Sequence, residues 1–377
     1  TVAQTVDALT NNISAIYVSN NSWGPADGYG QYLLDSSSYR TALTTGVTNG
    51  RSGLGAVYVW AAGNGGTYNY DNSNYDGLAN HYAVISVAAM GDDGTKATYS
   101  ENGANLWVTA PSQGNSGTAI TTSDLTGDNG YNTSSSVGNY SDRAYTNTFN
   151  GTSAAAPMVS GVAALVVAAN SALTWRDVKI ILARTARQVD STDAGWFQNG
   201  ATTVTGGYNF NEKYGFGLAD ASAAVTMAAS FTSVGGSSTL LTNSSPSSAQ
   251  TVGTSITDAS ATGISDTITV ASSGISNIEY VDVVVDITHS NWGDLTITLA
   301  RSSGGYTTSA TLAEQHTCLD LNTSGVSTCT VSGGQWTFGA AAFLDEPADG
   351  NWTLTVKDLA TGTTGTFDSW QLKFYGR

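Results

Sequence analysis

The chain has 377 residues, with 29 acidic side chains against 13 basic ones and a formal net charge of −16 at pH 7. That length favours two domains, each able to bury its own core. The charge repels phosphates, which argues against nucleic acid and for basic ligands.

Read in order, the first 228 residues mix short apolar runs with helical patterns. IYVSN (16–20) and AVYVWAA (56–62) read as buried parallel strands, with a helix around Tyr39 to Thr48 between them. PMVSGVAALVVAAN (157–170) is apolar nearly all round and suits a buried helix. Thr174, Trp175, Arg176 and Asp177 open the next helix with a capping-box pattern before VKIILARTA. From 229 to 259 the chain is rich in Ser, Thr and Gly, which predicts a connection between domains. Beyond it the period becomes two: Val281, Val283, Val285 and Ile287 share one face, as do Leu295, Ile297 and Leu299, then Trp352, Leu354 and Val356, then Trp370, Leu372 and Phe374. Residues 260–377 therefore predict an antiparallel β-sandwich. No long internal repeat is present.

Gly, Ser, Thr and Asn are abundant and Lys is scarce, a make-up common in bacterial exoproteins, so the chain reads as secreted and extracellular. TVAQTVDALT at the start lacks the charged and apolar regions of an export signal, which places any such signal in a segment already removed. No apolar run is expected to approach the roughly 18 to 20 residues that cross a bilayer. The only cysteines, Cys318 and Cys329, lie close together, either as one disulfide closing a short loop in an oxidising compartment or as two buried thiols.

Three segments carry chemistry. In NGTSAAAPMVSGVAAL, Ser153 sits where a glycine-containing turn enters a helix, near its positive end, where developing negative charge is favoured. Read alone, G-T-S is more often a plain helix cap. In VYVWAAGNGG, Asn64 occupies a glycine-rich turn directly after a strand, a position shared by ordinary turn asparagines. The third segment is YVSNNSWGPADG.

Together these resemble the subtilisin superfamily, whose serine motif G-T-S-x-A-x-P is matched at Gly151, Thr152, Ser153, Ala155 and Pro157. The S-W-G-P stretch, TWRDVKIIL and KYGFGLADASAAV are similar to its kexin/furin branch. The resemblance implies an α/β subtilisin-like catalytic domain, incomplete at its N-terminus, over 1–228, and a jelly-roll P-domain over 260–377 that stabilises it. It implies Ser153 as nucleophile, Asn64 as oxyanion donor, and Ser22, Trp23 and Gly24 on a strand that pairs with extended substrate through its backbone. A protease that cuts after Arg or Lys must face the buried cation with carboxylates. Asp76 matches the acid at the base of that pocket, although Asp-Gly is also a common turn. Asp27, Asp71 and Glu101 coincide with carboxylate ligands for Ca2+ behind it, and hard oxygens from three loops suit that ion. Unaided, they read as solvated loop acids. Because WGPADG is one residue shorter than the family stretch, Asp27 stands for either a pocket acid or a calcium ligand. Asp35 is a candidate for a second basic residue of substrate.

The triad order Asp, His, Ser puts the first two partners well upstream of S-W-G-P. None of His81, His289 or His316 matches, so the reading expects a separate N-terminal fragment of the same protease to supply them. A truncated chain and a pseudoenzyme are the other two explanations. The leading function is thus a secreted, calcium-dependent serine endopeptidase cutting after basic residues. The alternative is a protein that binds basic proteins without cutting them.

Overall fold

The computed structural model describes residues 1–34, 36–67 and 70–377; Asp35 lies outside them. In chain order come α1 (Val2–Thr10), β1 (Val18–Asn21), α2 (Ser37–Asn49), β2 (Val57–Ala61), β3 (Val84–Met90) and β4 (Val108–Pro111). The four strands form one parallel sheet in the order β1-β2-β3-β4. β2 and β3 are buried along their whole length, as continuous apolar runs in a sheet covered on both faces must be. Tyr58 points to one face, donating its hydroxyl to the Leu9 carbonyl of α1 at 2.6 Å. The alternate residues Val57 and Val59 face the other side.

The hairpin β5 (Ile120–Ser123) and β6 (Tyr145–Phe149) leads into α3 (Thr152–Ala169), which packs across all four strands. Gly151 precedes it at φ 79°, a conformation that costs a side-chain-bearing residue. At 18 residues α3 is long and apolar enough to cross a membrane by composition, so the expectation that no such run exists does not hold. It buries Ala155, Val159, Ala163 and Val166 against the sheet instead. α4 (Trp175–Thr185), the two-residue strands β7 (Phe197–Gln198) and β8 (Asn209–Phe210), and α5 (Ala221–Ser230) complete this half. The predicted capping box at Thr174 and Asp177 is present.

The remaining strands are β9 (Leu241–Ile256), β10 (Ile264–Val270), β11 (Ile278–His289), β12 (Leu295–Ser303), β13 (Tyr306–Ala313), β14 (Cys318–Leu319), β15 (Val326–Ser327), β16 (Gln335–Ala340), β17 (Gly350–Asp358) and β18 (Gly365–Gly376). Two antiparallel four-stranded sheets, β10-β17-β12-β13 and β16-β11-β18-β9, form the sandwich. Val283 pairs with Leu372 and Val285 with Trp370, all buried, as the period-two pattern requires. The segment expected as a connection needs correction, because β9 occupies 241–256 and pairs with β18. It is an edge strand with most residues exposed or half-exposed and Pro246 within it. An edge tolerates polar residues and proline, so no alternation marked it.

The halves meet along α4, whose charged residues face protein rather than water. Arg176, fully buried, holds Glu279 of β11 through two nitrogens, Nε at 2.8 Å. Arg184 pairs with Asp345. Lys179 lies over the rings of Trp107 and Tyr280 and donates to the Tyr82 carbonyl. Asn74 exchanges two hydrogen bonds with the backbone of Gly339 in β16, at 2.9 and 2.7 Å. Burial pushes the Lys179 amine down to about 7, with Glu279 and Asp282 pulling the other way. The unfolded chain keeps that proton to about pH 10. Between about pH 7 and 10 unfolding therefore takes up a proton, and this group makes stability rise with pH. Denaturant melts at pH 7 and pH 9 are expected to show a larger gain for the natural chain than for Lys179→Met, by up to about 1 kcal/mol per pH unit.

Candidate active site

The C-terminal ends of parallel strands are where open α/β sheets gather binding groups. β1 ends at Asn21, so Ser22, Trp23 and Gly24 leave the sheet beside the Gly63–Gly65 turn that follows β2. The start of α3 closes the other side. A cavity of about 270 Å³ lies between them. Ser153, Asn64, Ser22, Trp23 and Gly24 line it, and so do the four acids Asp27, Asp71, Asp76 and Glu101. Residues from five separate stretches of sequence are thus gathered at one place.

Ser153 is the second residue of α3, and its hydroxyl lies 3.4 Å from the Ser22 carbonyl. Four residues on, Pro157 has no N–H to give the Ser153 carbonyl. The Ser22 hydroxyl supplies the missing donor at 2.8 Å. Ser22 and Ser153 therefore grip each other through both backbone and side chain. Asn64 is oriented by Thr152, which donates to its Oδ1 from N at 2.8 Å and Oγ1 at 3.0 Å. That leaves its NH2 facing the other way, with one N–H on Asp27 Oδ2 at 3.1 Å and a second to offer. Thr152 was missed as a positioning residue, although it stands inside the serine motif.

Two of the acids brace the same turn, and a third holds the neighbouring Gly28 segment. Asp27 accepts from Asn64 N at 3.0 Å, Glu101 from Gly65 N at 2.9 Å, and Asp71 from Gly28 N at 2.7 Å. A Cβ on Gly63 would stand 2.3 Å from the Glu101 carboxyl, and one on Gly65 2.7 Å from Asp71, so only glycine fits. Asp76 is 8% exposed, accepts from Leu78 N at 2.8 Å, and lies 3.5 Å from the Cβ position of Gly24. Burial raises the Asp71 carboxyl to about 6, with Asp27 adding to the effect and backbone N–H groups opposing it. Burial first, then Asp71, Asp27 and Asp76, lift Glu101 well above the usual range. Among the described residues, Asp27, Asp71 and Glu101 have no ion pair with a basic side chain. Carboxylates gathered at one cavity without a basic partner, with Glu101 buried, Asp71 half-buried and Asp27 exposed, suit a hard divalent cation. Their oxygens do not all lie within 4.8 Å of one another, whereas a ring nitrogen of His289 and carboxylate oxygens of Asp294 and Asp358 do.

None of the three histidines lines the cavity. His81 is buried and accepts from Ala83 N at 3.2 Å, and burial holds it well below the usual histidine value. His289 ends β11, 3.3 Å from Asp358. His316 lies in the sandwich, against Tyr75. Cys318 and Cys329 are bridged, with Cα atoms 5.2 Å apart.

A parallel sheet crossed by a helix that carries a serine at its start, followed by a sandwich, defines a subtilisin-like unit joined to a P-domain. The subtilase family model matches residues 1–217 and the proprotein convertase P-domain model matches 278–374, and the chain belongs to the subtilase family. It is 32% identical over 360 residues to protease KEX1 of Kluyveromyces lactis, covering 94% of this chain and 42% of that protein. It is 31% identical over 376 residues to the dibasic-processing endoprotease of Schizosaccharomyces pombe, covering 98% of this chain and 48% of that one. The chain thus spans less than half the length of these relatives. The crystal structure of the Aeromonas sobria serine protease in complex with a chaperone superposes over the whole chain and 74% of its own, with TM-score 0.80 and 25% identity.

The Ser22 hydroxyl and Pro157 should be energetically coupled. Ser22→Ala strands the Ser153 carbonyl and is expected to cost about 1–3 kcal/mol. In a Pro157→Ala background the restored N–H serves that carbonyl, so the same change should cost much less. Equilibrium unfolding of the four proteins in this double-mutant cycle checks the coupling.

Proposed function

We propose that this chain is the nucleophile-bearing part of a secreted serine endopeptidase that hydrolyses peptide bonds after arginine or lysine. The observation that carries the reading is one cavity lined by Ser153 and Asn64 together with four carboxylates. A basic side chain entering it meets Asp76, and its carbonyl carbon comes within reach of Ser153. Ser153 Oγ attacks, Asn64 donates to the oxyanion through its second N–H, and the acyl group passes to water. A histidine takes the serine proton and an aspartate orients it; both belong to a separate N-terminal segment of the same protease. Two surfaces suit that segment: β1 has a pairing partner on one side only among the described residues, and α3 leaves Gly161, Ala164 and Leu165 exposed beside it. The disulfide agrees with an oxidising, extracellular compartment. Similarity to a dibasic-processing endoprotease supports a preference for basic residues.

Ca2+ suits Asp27, Asp71 and Glu101, where it would neutralise charge behind the pocket. Asp27 and Glu101 also hold the turn that carries Asn64, so chelation is expected to lower Tm and activity together, and added Ca2+ to restore both. In Glu101→Gln the Tm response to Ca2+ should shrink.

The absence of a histidine from the cavity favours, for the chain alone, the second reading: a binding protein or pseudoprotease that holds basic proteins. A fluorophosphonate probe on the native preparation, with mass determination under native and denaturing conditions, separates the two. Labelling of Ser153 together with a dissociable fragment carrying Asp and His supports the enzyme. Absence of labelling with that fragment bound supports binding alone. Asp76→Asn is expected to lower kcat/KM for arginine substrates by about 10²-fold, since it removes one partner of a buried charge pair. Peptide libraries that show cutting after large apolar residues, with arginine ignored, would sink the basic specificity.

A further inference from the structure

One wall of the cavity, built by the N-terminal half, is backed by the sandwich. Gln31 and Leu33 on one strip, and Tyr75 and Asp76 on another, line that side. The two strips touch, Leu33 N donating to the Tyr75 carbonyl at 2.8 Å. Behind them stands the β14–β15 hairpin of the sandwich. Leu319 N donates to the Tyr29 carbonyl at 2.8 Å, and Gln31 Nε2 to the Leu319 carbonyl at 2.9 Å. His316 Nε2 lies 2.9 Å from the Gly30 carbonyl, and its ring stacks on Tyr75 with centroids 4.7 Å apart. A Cβ on Gly30 would come within 2.8 Å of the Thr317 carbonyl, so hairpin and wall are in close contact. His316 is 7% exposed and Tyr75 1%.

The hairpin is too short to hold itself. Each of its strands has two residues, far below what pairing alone sustains in water. Its anchor is the Cys318–Cys329 bridge: Cys329 N donates to Asn291 Oδ1 at 2.8 Å, and its carbonyl accepts from buried Trp292 at 2.9 Å. A chain of contacts therefore runs from the sandwich body through the bridge and His316 to Gly30 and Tyr75, and Tyr75 precedes Asp76.

We propose that this disulfide-anchored hairpin, acting through His316 and Leu319, is the positioning element that sets the cavity's selectivity for a basic side chain. It holds the Tyr29–Leu33 strip and Asp76 at a fixed spacing, so a cation fits and an apolar side chain is refused. The inference rests on the cavity being the substrate site, and it gives the sandwich a role in specificity beyond stability.

The test compares the unsubstituted protein, in its native preparation, with His316→Ala, His316→Gln and the double variant Cys318→Ser/Cys329→Ser. Amide hydrogen exchange over residues 28–33 is expected to accelerate about tenfold or more in His316→Ala and in the double variant, with β11 exchange unchanged. His316→Gln, which keeps one donor for the Gly30 carbonyl, should fall between. Discrimination of arginine over leucine substrates should drop about tenfold, through KM for arginine rather than kcat. Natural exchange rates in all variants overturn the positioning claim, whether or not the protein cuts peptides. A faster wall with unchanged discrimination overturns the specificity claim. An unsubstituted protein that neither cuts nor labels refutes the functional reading instead, and the exchange arm alone then decides the positioning of the wall.

Discussion

Basic side chains on one helix, set in the seam between its two halves, hold this molecule in one piece. Arg176, Lys179 and Arg184 recur along α4 on the side that meets the sandwich, and Glu279 and Asp345 answer the two arginines. Removing one partner of such a buried pair costs about 3–5 kcal/mol, because the other is left uncompensated. The N-terminal half therefore cannot shed the sandwich without exposing or stranding these ion pairs. Arg377, the last residue, joins the same network by pairing with Glu279 and Asp345.

At the cavity, one set of groups serves two ends. Asp27 and Glu101 hold the turn that presents Asn64, while they and Asp71 line the cavity with carboxyl groups. Backbone geometry and electrostatics are coupled there, so a change in protonation or ion binding alters both. Ser153 is held in a different way, by a proline that removes a donor and a serine that replaces it. The serine motif and the S-W-G-P segment, more than a hundred residues apart, are complementary parts of that one arrangement.

Much of this could be read from the residues. The continuous apolar run VYVWA requires a strand buried on both faces, as found; the alternation from Val281 to Ile287 marks one buried face, while Asp282 on the other, like Glu279 before the run, is covered as well. The site residues were named from motifs, and what motifs cannot give is who holds whom. Thr152 orients Asn64 across 88 positions, and no local pattern announces such a partner. The charged face of α4 reads as a solvated helix surface until the sandwich is laid against it. β9 was missed because an edge strand needs neither alternation nor apolar residues.

That edge has a further consequence for the protein at high concentration. β9 carries Ser, Thr and Asn along much of its length, and Pro246 interrupts its row of donors. A second chain arriving alongside finds a hydrated, broken ladder on which it cannot extend the sheet. The β9 edge is thereby a poor template for strand-to-strand aggregation, so the polar composition that disguised β9 as a linker also discourages pairing between copies there.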